Sequence, residues 1–307
     1  MKKLVVDIRG KGDFCEIGSA VASVSGDCEI FIKEGTYREK IFIDKPNIRL
    51  TGEDREKVQL VFGDYAMMER ENGYPIGTFE TATLRVGEKG EGFSIENMTV
   101  INDAGEGNVV GQAVALYLDC DKAYIHNCRL SARQDTLLCA PIPSDITGKP
   151  MPLNRQYFKD CFIEGNVDFI FGGACALFEN CEIFIVGRSG FPSGYVTAAC
   201  TDKEQEYGFV FKNCNISGSG ARERAFLGRP WRDYAKTVFI DCKWDDIIHP
   251  EVFSKWNNRL SHLTCFYGFD GMKEFKGSKA EWVHYIDDSG KYSVENMFGE
   301  MFDEADR

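Results

Sequence analysis

Two aspartates stand at matched places in this chain. Asp135 lies in ARQDTLLC (132–139) and Asp168 in GNVDFIFG (165–172), and each comes seven residues after a cysteine, Cys128 and Cys161. The aspartates and the cysteines are both 33 residues apart. In a repeating structure, equal offsets stack the two carboxylates in neighbouring turns, about one strand spacing (~5 Å) apart. Two carboxylates that close do not both ionise freely, and one is pushed toward its protonated form. Such a pair suits an acid and a nucleophile sharing one site. Around it lie Gln134, directly before Asp135; Gln112, at the head of GQAVALYLDC; and Arg229 and Trp231 in AFLGRPWRDY. The arginine is suited to hold an aspartate ionised and oriented, and the tryptophan to offer a flat platform to a sugar ring. Taken singly, each has a commoner structural role: turn aspartate, solvated amide, surface ion pair, core ring. Their co-occurrence is the signal.

The elements that would position them come from a repeat. AYIHNCRL (123–130), QYFKDCFI (156–163), ALFENCEI (176–183), FVFKNCNI (209–216) and TVFIDCKW (237–244) share an apolar stretch, Asn or Asp, Cys, and an apolar residue two places on. A sixth copy, GFSIENMTV, has Met98 in place of the cysteine. From Met98 to Cys242 the steps are 30, 33, 20, 33 and 28 residues. Short strands at such a period, with turn glycines, predict an all-β solenoid, a parallel β-helix. The cysteines then form a reduced, buried ladder, and the Asn or Asp before each serves turns or bridges coils. The unequal steps predict loops of unequal length on one side, where a solenoid carries its function. Alternation in VDFIF sends Asp168 to the face opposite Val167 and Phe169, onto the solenoid's outer surface, so that it need not be buried. DFCEIGSAVASV (13–24) reads as a capping helix with Asp13 as N-cap. SVENMFGEMFDEADR (293–307) reads as an amphipathic helical tail packed along the solenoid.

Residues 1–307 read as a single domain, with 43% hydrophobic residues and no low-complexity linker. A formal charge of −12 argues against nucleic acid and anionic membrane surfaces as partners. The four histidines and twelve cysteines show no metal-ligand spacing. MKKLVVDIRGKGDF lacks the apolar core and cleavage site of an export signal. With the reduced-cysteine pattern, that predicts a cytoplasmic protein.

Six motifs resemble the pectin methylesterases in that family's order: GTYRE (35–39), GTFETAT (77–83), GQAVAL (111–116), QDTL (134–137), VDFIFG (167–172) and LGRPW (227–231). GKGDF and YAKTVFIDC extend the likeness to nearly the whole chain. The resemblance implies a right-handed single-stranded parallel β-helix. It implies hydrolysis of galacturonate methyl esters in pectin or methylated oligogalacturonides, with no metal or organic cofactor. Carried onto this sequence, Asp168 is the nucleophile, Asp135 the acid and then the base, and Gln112 and Gln134 the oxyanion amides. Arg229 fixes the nucleophile, Trp231 stacks on sugar, Thr78 contacts substrate and Phe171 walls the ester methyl group.

Three stretches depart from the family pattern: Leu138 after QDT-Leu137, TAACT (197–201) and IIHPEVFSKW (247–256). They put flanking-sugar preferences in question rather than the catalytic set. The N-terminus, the reduced-cysteine pattern and the acidic charge frame an expectation of an intracellular enzyme for short, imported, methylated oligogalacturonides. The rival readings are a β-helical glycoside hydrolase, an acetyl or thioester esterase on the same fold, and a non-catalytic carbohydrate-binding solenoid. The first would release reducing ends instead of methanol, and the last has no need of two adjacent acids.

Overall fold

The structure, a computed structural model, describes residues 2–188, 192, 194–219, 222, 224–257, 259–270 and 279–302. Its strands form three sheets of eleven, eight and seven members, in which successive coils of the chain supply successive neighbours. Pairings within the sheets are parallel, as in Ala123–His126 on Arg155–Lys159 or Phe162–Gly165 on Glu182–Ile185. The chain is a parallel β-helix.

The six repeats all put their strand into the eleven-stranded sheet, and the register stacks like on like. Ile95, Ile125, Phe158, Phe178, Phe211 and Phe239 stand side by side on its inner face. The four phenylalanine rings stack at 4.5 Å intervals, with planes within 12° of parallel. On the other face Tyr124, Tyr157, Leu177, Val210 and Val238 form a second apolar row. It does not face water, because the tail lies over it: the helix Val294–Phe298 and Phe302 pack Met297, Phe298 and Phe302 against these residues. A sheet covered on both sides needs both faces apolar, which is why the repeats read as apolar runs. Residues 303–307 of the expected tail lie outside the described residues.

Each repeat then turns a corner at its Asn or Asp. Asn97, Asn127, Asp160, Asn180, Asn213 and Asp241 all have φ between 46° and 55°, the left-handed region that Asn and Asp tolerate best among residues with a side chain. The next residue points inward. Cys128, Cys161, Cys181, Cys214 and Cys242 are buried and unpaired as disulfides. Each donates its S–H to a carbonyl of the preceding coil, as Cys161 does to Ile125 O (3.4 Å) and Cys214 to Phe178 O (3.3 Å). The thiols therefore fill space as small apolar groups and satisfy a backbone acceptor.

The N-terminal helix is shorter than the sequence predicts, Ile17–Ala22, and Asp13 does not cap it. Asp13 instead accepts from Val5 N (2.8 Å). The helix start is capped from a distance by Glu39 of GTYRE, whose carboxylate accepts from Ile17 N (2.9 Å) and Gly18 N (2.8 Å). A side chain more than twenty residues along the chain satisfies the orphan donors, and no local spacing rule reveals it. Ile17, Ala20 and Val21 are buried against the first coil.

Candidate active site

The seven-stranded sheet carries the site on its outer face. Register places Phe42, Arg85, Tyr117, Leu138, Phe171 and Ala198 in one row across it. Long connections on both sides of this sheet account for the unequal repeat. The coil from Cys161 to Cys181 has almost none, whereas the coil before it carries residues 140–154, with the short helix Ser144–Thr147, between two strands.

Asp135 and Asp168 sit in equivalent bends just before the strands Leu137–Cys139 and Ile170–Gly172. Both have positive φ, 65° and 50°. Gln134 bridges Val167, and the Asp135 N–H donates to Val167 O at 3.0 Å, so the bends stack in register. The alternation argument for Asp168 needs correcting on two counts. Val167 and Phe169 do not share a face: Phe169 enters the solenoid core, while Val167 packs outside with Tyr195 and Phe226. The left-handed turn, not strand alternation, aims the aspartate outward. Nor is it solvated, since both carboxyl residues are only 8% exposed.

Burial is therefore the dominant electrostatic fact. It drives the Asp135 carboxyl well above the usual carboxylate range, and the neighbouring charge of Asp168 pushes the same way. Asp168 is also raised by burial, but Arg229 opposes the shift. The guanidinium grips Asp168 with both arms, Nε to Oδ1 at 2.9 Å and a terminal nitrogen to Oδ2 at 2.7 Å. A bidentate charged pair of this kind favours the carboxylate, so a single proton on the dyad belongs on Asp135.

Arg229 is itself fixed. Its Cζ lies 3.9 Å from the centroid of Tyr195 and 4.3 Å from that of Trp256, a cation held between two rings. Its backbone N–H donates to Thr197 O (3.0 Å). The preceding Gly228 permits this approach, because a Cβ there would lie 1.9 Å from Thr197 Oγ1. Gly172 of VDFIFG answers a like constraint, with φ 120° and the Cys139 carbonyl oxygen 2.0 Å from where a Cβ would stand.

All eight residues singled out in the sequence line one cavity of about 290 Å³: Thr78, Gln112, Gln134, Asp135, Asp168, Phe171, Arg229 and Trp231. Trp231 meets Phe171 edge to face, with centroids 6.0 Å apart. Phe79, Ala198 and Trp256 complete the lining. Trp256 had registered in the sequence only as part of a departing stretch, and its place over the arginine carries no local motif. Sequence reasoning missed Tyr195 altogether. No group of three or more His, Cys, Asp or Glu that could hold a metal occurs among the described residues.

A buried aspartate pair, one member clamped by arginine, thus opens onto the flank of a parallel β-helix. This chain belongs to the pectinesterase family: a profile of that family, described as Pectinesterase, matches residues 3–295. It is 36% identical over 295 residues to "Putative pectinesterase/pectinesterase inhibitor 45" of Arabidopsis thaliana, covering 89% of this chain and 44% of that one. To "Pectinesterase 31" of the same plant it is 32% identical, covering 94% and 89%. Against several of these curated relatives the chain thus spans less than half their length. Among solved structures, a pectin methylesterase from carrot superposes with a TM-score of 0.83 at 28% identity, covering 100% of this chain and 96% of that one. A pectin methylesterase in complex with a hexasaccharide gives 0.79 at 26% identity, covering 98% of both chains.

Proposed function

We propose that this chain hydrolyses the methyl esters of galacturonate units in pectin or its oligomers, through a covalent aspartyl intermediate. The observation that carries the reading is the bidentate Arg229–Asp168 pair beside a buried, proton-holding Asp135. Ionised Asp168 attacks the ester carbonyl carbon. The carbonyl oxygen takes up the negative charge beside Gln112 and Gln134, whose side-chain amides have no hydrogen-bond partner among the described residues and are free to donate to it. As the tetrahedral centre collapses, the C–O bond to methoxide breaks and Asp135 supplies the proton, giving methanol and a mixed anhydride on Asp168. Asp135, now ionised, takes a proton from water. The hydroxide so formed opens the anhydride, releasing the sugar carboxylic acid, which gives its proton to solvent, and restoring both aspartates.

Methanol release from methylated pectin tests this directly. Asp168→Asn is expected to lose about 10⁴-fold in kcat and Asp135→Asn about 10²–10⁴-fold. Turnover at the unmodified rate in either variant would remove the assigned roles.

The same reading extends to location and substrate length. Eleven buried free thiols support a reducing, cytoplasmic compartment and hence short imported oligogalacturonides as substrate. Recovery of the protein from the extracellular fraction, or equal activity per ester on long pectin and on trimers to hexamers, would count against it.

A further inference from the structure

The two bends that carry the aspartates are tied together from a third place in the chain. Arg133 and Asn166 each come two residues before an aspartate, Asp135 and Asp168. Glu106 reaches both. Its Oε1 accepts from Arg133 Nε at 2.8 Å, and its Oε2 from the Asn166 side-chain amide at 3.4 Å. Backbone bonds join the same bends: Asn166 N donates to Arg133 O at 2.8 Å and Asp135 N to Val167 O at 3.0 Å. Glu106 belongs to the connection between the strands Thr99–Asn102 and Leu116–Leu118, one coil before Asp135.

Glu106 does not line the aspartate pocket. With Gly107 and Asn166 it lines a separate cavity of about 290 Å³, and Gln134 lines both. The residue after Glu106 bears on Gln134 directly, since a Cβ on Gly107 would lie 2.7 Å from both Cβ and Oε1 of Gln134. The backbone there lies against the oxyanion amide with no room for a side chain between them. Arg133 is steadied as well, a terminal nitrogen donating to Ala132 O at 3.3 Å. The Arg133 and Glu106 side chains are 34% and 51% exposed, and an ion pair so open to water adds little to stability. What it fixes is geometry. An acid and a nucleophile serving one ester tolerate little drift, and a misplacement of about 1 Å costs about 10²-fold in rate.

We propose that Glu106 is a positioning residue for the reaction, clipping the bends of Asp135 and Asp168 in register and seating Gln134 through Gly107. Its part in turnover rests on the esterase reading above, while the clip itself belongs to the fold and is read without substrate. Two conservative variants separate the clip from a mere charge. Glu106→Gln keeps the reach, with Oε1 for Arg133 and an amide N–H for Asn166 Oδ1, which is buried without a partner among the described residues. Glu106→Asp keeps the charge but, one methylene shorter, does not span both partners.

Methanol-release kinetics and amide hydrogen exchange on the same variants test this. Glu106→Ala and Glu106→Asp are expected to lose about tenfold in kcat, with KM within about twofold and the melting temperature unmoved. Glu106→Gln is expected to keep kcat within about threefold of the unmodified protein. Glu106→Ala combined with Arg133→Ala should lose no more than the larger single loss, the mark of one shared interaction. Without substrate, the amides of Asp135 and Asn166 should exchange about tenfold faster in Glu106→Ala, while those of the distant strand Cys28–Ile32 stay unchanged. If the unmodified protein releases methanol, unaltered kcat in Glu106→Ala or in Glu106→Asp would overturn the proposal. So would a kcat loss matched by a lowered melting temperature, or a Glu106→Gln variant as impaired as Glu106→Ala. No methanol from the unmodified protein, with the exchange pattern as expected, would sink the esterase reading and leave the clip standing.

Discussion

Asp135 and Asp168 are the same residue type at the same place in consecutive coils, and their difference comes entirely from what surrounds them. Arg229 reaches one and not the other. Because Asp135 is raised well above the usual carboxylate range, the folded protein binds a proton there that the unfolded chain releases near pH 4. That contribution to stability is complete below the unfolded value and is lost as pH rises through the folded one. Asp135→Asn should remove this dependence, so the melting temperature of the variant relative to the unmodified protein should climb between pH 4 and neutrality. A difference that stays flat would contradict the protonated assignment. Arg229→Lys keeps the charge but loses the two-armed grip and the stacking between Tyr195 and Trp256, and should lower kcat about 10²-fold through misplacement of Asp168. The acids, amides and arginine were legible in the sequence because each sits in a motif or at a repeated offset. Tyr195 and Trp256 were not, since they meet Arg229 from separate coils and obey no spacing. The burial of Asp168 was misread because period-two alternation fails at a left-handed residue, and a single φ cannot be read from residue type.

Among the elements, the six repeats were the most legible feature: each supplies a strand to one sheet, and each Asn or Asp turns the corner before an inward cysteine or Met98. The helix cap was the least legible, since Glu39 lies more than twenty residues from the N–H groups it accepts. Glycines separate the two kinds of constraint. Gly172 has a carbonyl oxygen where a Cβ would go, while Gly10, also at positive φ, has open space around it. Gly172→Ala should therefore cost about 3 kcal/mol or more, by forcing coils apart beside Asp168, and Gly10→Ala only about 1–2 kcal/mol of backbone strain. Chemical denaturation of the two variants measures both, and comparable losses would show that the close approach at Gly172 is relieved cheaply.

Across the whole molecule, the tail and the site occupy different sheets. Phe298 packs on the outer face of the eleven-stranded sheet, whereas the aspartates open onto the seven-stranded one. Phe298→Ala should destabilise the fold by about 3 kcal/mol, as a buried aromatic truncation does, and leave kcat and KM for methanol release unaltered at temperatures where the protein stays folded. A change in kcat would mean that the tail communicates with the site through the core.

Successive coils from Thr78 through Trp256 contribute to the pocket, and coils lie beyond it toward both termini. In a linear array of neighbours, the outermost units come loose first and the middle goes last. Warming should thus loosen the ends while the central rungs still turn over substrate, so that loss of turnover is a late marker of melting, trailing hydrogen exchange at either terminus.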